Sequence, residues 1–229
     1  MKLKIDIDTG KNRLYFSISR KITKTELDKF YTDLRFCVAD LQPDFDVIGD
    51  FSECDIIYLS STPTFRNIMC YLITKRIREN ILVVKSNLLY MQLNNLISIL
   101  NIYIPSYVST LQEAEDILST DQRRNGLRIC LHHNLAEYLI DTVQVKNRIL
   151  DMSTSGCSLE LGSTQPSVGQ EITLNISLKD KEEAINKFSI PATAVRITND
   201  MFAVKYVHLD DDQKDQLWSC LLYESNLLI

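Results

Sequence analysis

No stretch of this chain approaches the roughly 18 consecutive apolar residues that a membrane-spanning helix needs. Its apolar runs are short, such as ILVV at 81–84. The N-terminal MKLKIDIDTG lacks the apolar centre of a secretory leader, so the expectation is a cytoplasmic protein with no membrane attachment. Basic charge is not in excess either. Twenty-five Lys and Arg stand against 30 Asp and Glu, a formal net charge of −5. That balance lacks the broad basic face needed for non-specific binding to nucleic acid or an anionic membrane, and leaves room only for a small anion at one local site. The six cysteines (Cys37, Cys54, Cys70, Cys130, Cys157 and Cys220) form no C-x-x-C pair and read as reduced core or near-core residues. Histidine is scarce, three in all. CLHHN at 130–134 brings Cys130, His132 and His133 close in sequence, but no second cluster completes a tetrahedral set, so no metal is expected. No cysteine has an evident activating neighbour, which argues against a Cys–His enzyme. Internal repeats and low-complexity segments are absent.

What is present is a chain of 229 residues, 45% of them apolar, enough to build one large core or two small ones. The first half alternates strand and helix patterns. MKLKIDI and RLYFSI alternate with period two and read as strands. Leu27, Phe30, Tyr31, Leu34, Val38 and Leu41 recur at helical spacing, with Thr23 and Glu26 as a capping box ahead of them and Pro43 after. DVIGDF (46–51) reads as a strand. TPTFRNIMCYLITKRIREN reads as a helix whose apolar face runs from Phe65 to Ile77. NILVVK (80–85) reads as a buried strand, and Leu89, Leu93, Leu96, Ile97 and Leu100 mark a third helix. IYIPSYV reads as an edge strand because Pro105 interrupts it. STLQEAEDIL gives a fourth helix, with Thr110 and Glu113 as its capping box. The order ββαβαβαβα implies an α/β layer.

Over most of residues 1–118 this order resembles the STAS domain, the fold of anti-sigma-factor antagonists. VIGDFSECDIIYLSSTPTF stands where that family has a strand, an acidic loop and a helix N-terminus, and STLQEAEDIL where it has its last helix. The family's regulatory Asp-Ser-x-Gly stretch is missing. LSSTP occupies its place, with Ser60 and Ser61 but neither the Asp nor the Gly, so these serines read as helix caps and not as a phosphoswitch.

After Thr120 the chain becomes rich in strands: LRICLHHN, EYLIDTVQV, NRILDMS, CSLEL, EITLNISL, FSIPATAVRI and MFAVKYVHL. Several short strands in so short a span suggest a small antiparallel barrel. DDDQKDQLWSCLLYES has the acidic start of a helix, with Leu217, Cys220 and Leu221 placed to plug one barrel end. Trp218 and the terminal NLLI read as packing on the core or at a subunit contact. The boundary is expected at 120/121, giving domains 1–120 and 121–229.

At that boundary lies DQRRNGLR (121–128), three arginines with no acid between them. Asn125-Gly126 favours a turn that can fold Arg124 back toward Arg128. Guanidinium is permanently charged and forked, and it pairs bidentately with phosphate and with the O6/N7 edge of guanine. Further on comes DMSTSG (151–156). Asp151 and Ser153 are two residues apart and would share a face in a strand, and Gly156 permits a tight bend or a close approach.

R-x-x-x-R followed by D/N-x-S-x-x-G is the signature of the PilZ domain, and RNGLR with DMSTSG is similar to it. The resemblance runs over roughly 121–223 and includes VGQEITLNISL, ATAVRI and FAVKYVHLDDDQKDQL. It implies a six-stranded barrel that binds the bacterial second messenger cyclic di-GMP. Arg124 and Arg128 would grip guanine edges and phosphates. Asp151 and Ser153 would contact a guanine, Gly156 would allow the approach, and Arg123 would help hold a second, stacked ligand molecule. The expected fold class is a STAS-like α/β domain followed by an all-β six-stranded antiparallel PilZ barrel with a C-terminal helix. The expected function is a non-enzymatic receptor with no cofactor beyond its ligand. Ligand binding would order the 121–128 loop and shift the domain arrangement, and the N-terminal half would engage an unidentified protein partner. A homodimer is open. The alternative is a PilZ-fold adaptor that binds protein and no nucleotide.

Overall fold

The structure, a computed structural model, describes residues 3–100, 105–119, 126–131, 133–140 and 142–225. It divides into two compact units, Met1–Leu127 and Arg128–Ile229.

The first unit is built from β1 (Leu3–Asp8), β2 (Arg13–Ile18), β3 (Arg20–Ile22), α1 (Lys24–Val38), β4 (Phe45–Asp50), β5 (Cys54–Ile57), α2 (Thr62–Thr74), β6 (Ile77–Val83), α3 (Asn87–Leu100), β7 (Ser106–Val108) and α4 (Leu111–Ser119). Five strands form one sheet in the order β1-β2-β4-β6-β7. β1 and β2 pair antiparallel, and the remaining pairs are parallel. β7 is an edge strand, as Pro105 just before it suggests; the part of the IYIPSYV strand at 101–104 lies outside the described residues. β3 and β5 form a separate two-stranded parallel pair that the period-two pattern does not reveal.

One face of the sheet carries the edge-to-face ring contacts Phe16–Phe30, Phe16–Phe51 and Phe51–Phe65. Gly49 lies opposite Phe16 in the β2–β4 register, and a Cβ there would press on the Phe16 ring. On the other face Ala114 and Leu118 of α4 pack on Ile48, Ile81 and Val83. The Thr23–Glu26 capping box forms as read. At α4 the Thr110 hydroxyl accepts from the Glu113 N–H, but the Glu113 carboxylate reaches the Ser109 N–H, one residue beyond the cap.

Two readings change. The second helix stops at Thr74, because Arg76 turns left-handed at φ 59°, and Ile77 opens β6 fully buried. Helical and strand spacing coincide on Ile77, and the turn decides between them. Ser61 sits at the α2 N-cap without a side-chain capping bond. Its backbone there is helical, so the hydroxyl cannot reach the free N–H groups in the extended geometry that capping uses.

Buried charge ties α4 to the sheet. Asp46, fully buried, accepts from both Nε and Nη2 of Arg78, and Arg13 Nη2 lies 3.7 Å from it. Arg13 Nη1 and the Tyr15 hydroxyl each donate to Glu115 of α4 at 2.6 Å. Burial alone would raise the Glu115 carboxyl, but the bonds from Tyr15 and Arg13 outweigh it and hold it below its ordinary value. A carboxylate depressed in the folded state contributes stability above its unfolded pKa and loses it as pH falls through the folded pKa. Glu115→Gln is therefore expected to melt lower than wild type at neutral pH and to converge with it in acid, in thermal melts across a pH series.

The second unit comprises β8 (Ile129–Cys130), β9 (Leu135–Ile140), β10 (Val143–Met152), β11 (Gly156–Glu160), β12 (Glu171–Lys179), β13 (Ile185–Ile197), β14 (Met201–Tyr206) and α5 (Asp211–Glu224). Strand order is β11-β14-β13-β12-β9-β10-β8, and β11 also pairs with β10. That pairing closes six antiparallel strands into a barrel with a final helix. β12, EITLNISLK, alternates without a break between exposed and buried, which is the pattern of a strand with one face in a barrel interior. EYLIDTVQV, read as one strand, is two. Ile140 faces Val143 across a hairpin, and the second strand runs on through NRILDM. α5 starts at an Asp210–Gln213 capping box and buries Leu217, Trp218, Cys220 and Leu221; NLLI lies outside the described residues. No helix among the described residues is long and apolar enough to cross a membrane.

Candidate functional site

The geometry of the site follows from the register of three strands. Met152 pairs with Ile129 of β8 on one side and with Cys157 of β11 on the other, and all three are fully buried. The neighbouring row, Cys130, Asp151 and Ser158, faces the opposite way, because side chains alternate along each strand. Arg128, two residues before Cys130, joins this row.

The guanidinium closes the row into a cluster. Nη1 of Arg128 donates to Asp151 Oδ1 at 2.5 Å and to Ser158 Oγ at 2.8 Å. Ser158 is buried, whereas the Arg128 and Asp151 side chains keep 31% and 27% of their surface exposed, so the pair is reachable from solvent. Both bonds leave from one nitrogen, and the Nε–Nη2 edge, itself a forked donor pair, makes no hydrogen bond within the described part of this cluster.

A bulge orients the carboxylate. Between Ile149 and Asp151 the β10–β11 register slips by one residue, so Ile149 points into the barrel while Asp151 points out. The extra residue, Leu150, uses its carbonyl to accept from the Leu131 N–H at 3.0 Å.

The residues singled out in the sequence fare differently. Arg128 and Asp151 meet. Ser153 lies past the end of β10, so the strand rule that would set it beside Asp151 does not apply. Its buried hydroxyl accepts from the Ser155 N–H at 3.2 Å and donates to the Gly156 carbonyl at 3.1 Å, and so builds the turn that leads into β11. At Gly156 a Cβ would run into the Val204 carbonyl oxygen, and the close approach it permits in this structure is that of β14. Arg123 and Arg124 lie outside the described residues, as does His132. Gly126 has φ 149°, a conformation open to glycine. Ser158 was not singled out: as one of many serines it has no signal until the β10–β11 pairing sets it opposite Asp151.

Beneath the cluster the interior is apolar. Burial pushes the Cys157 thiol up to about 12 and, together with the neighbouring Cys157 sulfur, raises the Tyr206 phenol well above its ordinary value. Burial and nearby Asp151 also raise the Cys130 thiol. These groups stay neutral, so the charge of the site is that of Arg128 and Asp151. Among the described residues no group of three or more His, Cys, Asp or Glu side chains could hold a metal ion.

The second unit is thus a closed antiparallel barrel with a charged cluster at the meeting of three strands. Residues 122–223 match the family model of the PilZ domain, and the C-terminal unit is a PilZ domain. Solved structures similar to this chain include the Bacillus subtilis inhibitor of motility MotI/DgrA, at 14% identity and a TM-score of 0.37, where the match spans 48% of this chain and 57% of that one. An uncharacterized protein with a SpoIIAA-like fold from Shewanella loihica matches at 15% identity and a TM-score of 0.41, over 51% of this chain and 93% of its own; it is the N-terminal part of this chain that resembles the SpoIIAA/STAS-like structures. The PilZ domain of YcgR from Escherichia coli, solved with c-di-GMP, matches at 15% identity and a TM-score of 0.36, over 43% of this chain and 88% of its own. No curated protein matches the chain.

Proposed function

We propose that the C-terminal unit is a receptor for cyclic di-GMP and that the chain acts as a non-enzymatic adaptor. The carrying observation is the state of Arg128. Nη1 is anchored on Asp151 and Ser158, and the Nε–Nη2 edge, without a partner among the described residues, can address an acceptor pair. A guanine O6/N7 edge or a phosphate offers such a pair, and the ligand carries both. Held this way, the side chain has less rotamer freedom to lose on binding. Arg124 would supply the second fork and Arg123 would support a second, stacked ligand molecule. In this reading Asp151 contributes both the anchor and an acceptor for guanine N1–H and N2–H. Ser153 and Gly156 act by holding the turn and the β11–β14 contact that place it.

The 121–127 segment joins the two units in this reading, and ligand held by its arginines biases their arrangement, as differential affinity for two states requires. The partner is then a protein that recognises one arrangement through the N-terminal half. Calorimetric titration of the full chain with cyclic di-GMP is expected to give saturable heat that GMP does not. Folded protein that releases no heat would exclude the receptor reading and leave a protein-binding barrel. Scattering profiles with and without ligand are expected to differ, and superimposable profiles would remove the rearrangement.

A further inference from the structure

Among the described residues β1 is an edge strand of the first sheet, paired with β2 and with no strand on its other side. Such an edge presents unpaired backbone groups that proteins normally blunt or cover. Here Leu3, Ile5 and Ile7 are half-buried while Lys4 and Asp6 are exposed. Leu3 and Ile5 line a groove of about 440 Å³ together with Phe30, Cys37 and the charged Glu26, Lys29 and Asp33, so β1's own side chains are apolar on its α1 side and charged on the other.

The order of the charges makes the edge complementary to itself. Set two copies of Leu3–Ile7 antiparallel about Ile5. Ile5 then faces Ile5 of the second copy, Leu3 faces Ile7, and Lys4 faces Asp6 in both directions. Residues directly opposite share a face, so the apolar pairs fall on the α1 side and the ion pairs on the other. A slip of two residues sets Lys4 on Lys4 or Asp6 on Asp6. A slip of one sets charge against Ile5. Register in sheets is fixed by such patterns, and here one register alone satisfies both faces.

We propose that this chain forms a homodimer through β1, joining two five-stranded sheets across a two-fold axis. The contact is isologous, the commonest closed symmetry of homo-oligomers, and it pairs the backbone of an edge that has no strand partner among the described residues, with Asp6 Oδ1, which accepts from the Ile7 N–H at 3.0 Å in the single chain, turned to Lys4 of the second copy. The proposal does not depend on the nucleotide reading.

The test is sedimentation of the full chain and of charge-exchanged variants, with circular dichroism to confirm that each is folded; Lys4 and Asp6 are exposed, so exchange leaves the core untouched. Wild type is expected to sediment as a dimer. Lys4→Asp and Asp6→Lys each place like charges opposite one another twice and should raise the dimer dissociation constant roughly tenfold or more. Mixing these two variants restores opposite charges at both positions and should restore the dimer, as should the double variant Lys4→Asp/Asp6→Lys alone. A monomeric wild type up to its solubility limit overturns the proposal. So do single variants that dimerise like wild type, or a mixture that stays monomeric.

Discussion

Arg128→Ala is expected to weaken cyclic di-GMP binding roughly 100-fold, the loss of two charge-assisted hydrogen bonds at about 3 kcal/mol in all, while leaving the barrel folded. The two outcomes separate because the arginine stands on the barrel and not in it. Its bond to Asp151 joins side chains 31% and 27% exposed, and pairs screened to that degree contribute at most about 1 kcal/mol to stability. The thermal midpoint should move by a few degrees while the titration goes flat. Arg128→Lys should not rescue binding, because an ammonium cannot bond Asp151 and Ser158 and still present a planar fork. Undiminished affinity in Arg128→Ala would place the ligand elsewhere on the unit.

Gly156→Ala reverses the order of events. The added Cβ meets a backbone oxygen, that of Val204, and a backbone oxygen cannot swing aside as a side chain can. β11 and β14 pair at this point, Gly156 opposite Lys205, so relief requires the two strands to part where the barrel closes. Overpacking of this kind costs about 3 kcal/mol, which for a unit of this size lowers the midpoint by roughly 10 °C or more. Binding should fail only as the unit unfolds, and should persist in the fraction still folded at low temperature. A midpoint equal to wild type would mean that β14 moves freely away from β11.

The contrast shows what could be read from the sequence. Each motif supplied one side chain of the charged pair, and Arg128 with Asp151 came together as their charges suggest. The barrel was legible because several short strands follow one another after Thr120, and α1 because its apolar spacing and capping box agree. Readings failed where a count of two or of 3.6 ran across a point that resets it. Arg76 at positive φ turned the end of a helical pattern into the start of β6. A hairpin divided EYLIDTVQV. Ser153 seemed to share a face with Asp151, but the strand had ended and the hydroxyl serves its own turn. Ser158 was silent for a different reason: its role depends on which strand lies next to β10, and no local pattern records that.

The slip at Leu150 divides β10 into two reading frames. Before it the outward side chains are even-numbered, Gln144, Lys146 and Arg148; after it the outward side chain is Asp151. A designer who copied 151–156 onto the corresponding strand of another barrel, counting from an inward residue as one counts along a regular strand, would bury the carboxylate. The portable unit is therefore longer than the motif. It starts at Ile149, carries the extra residue Leu150 that shifts the register, and ends at the glycine under Val204.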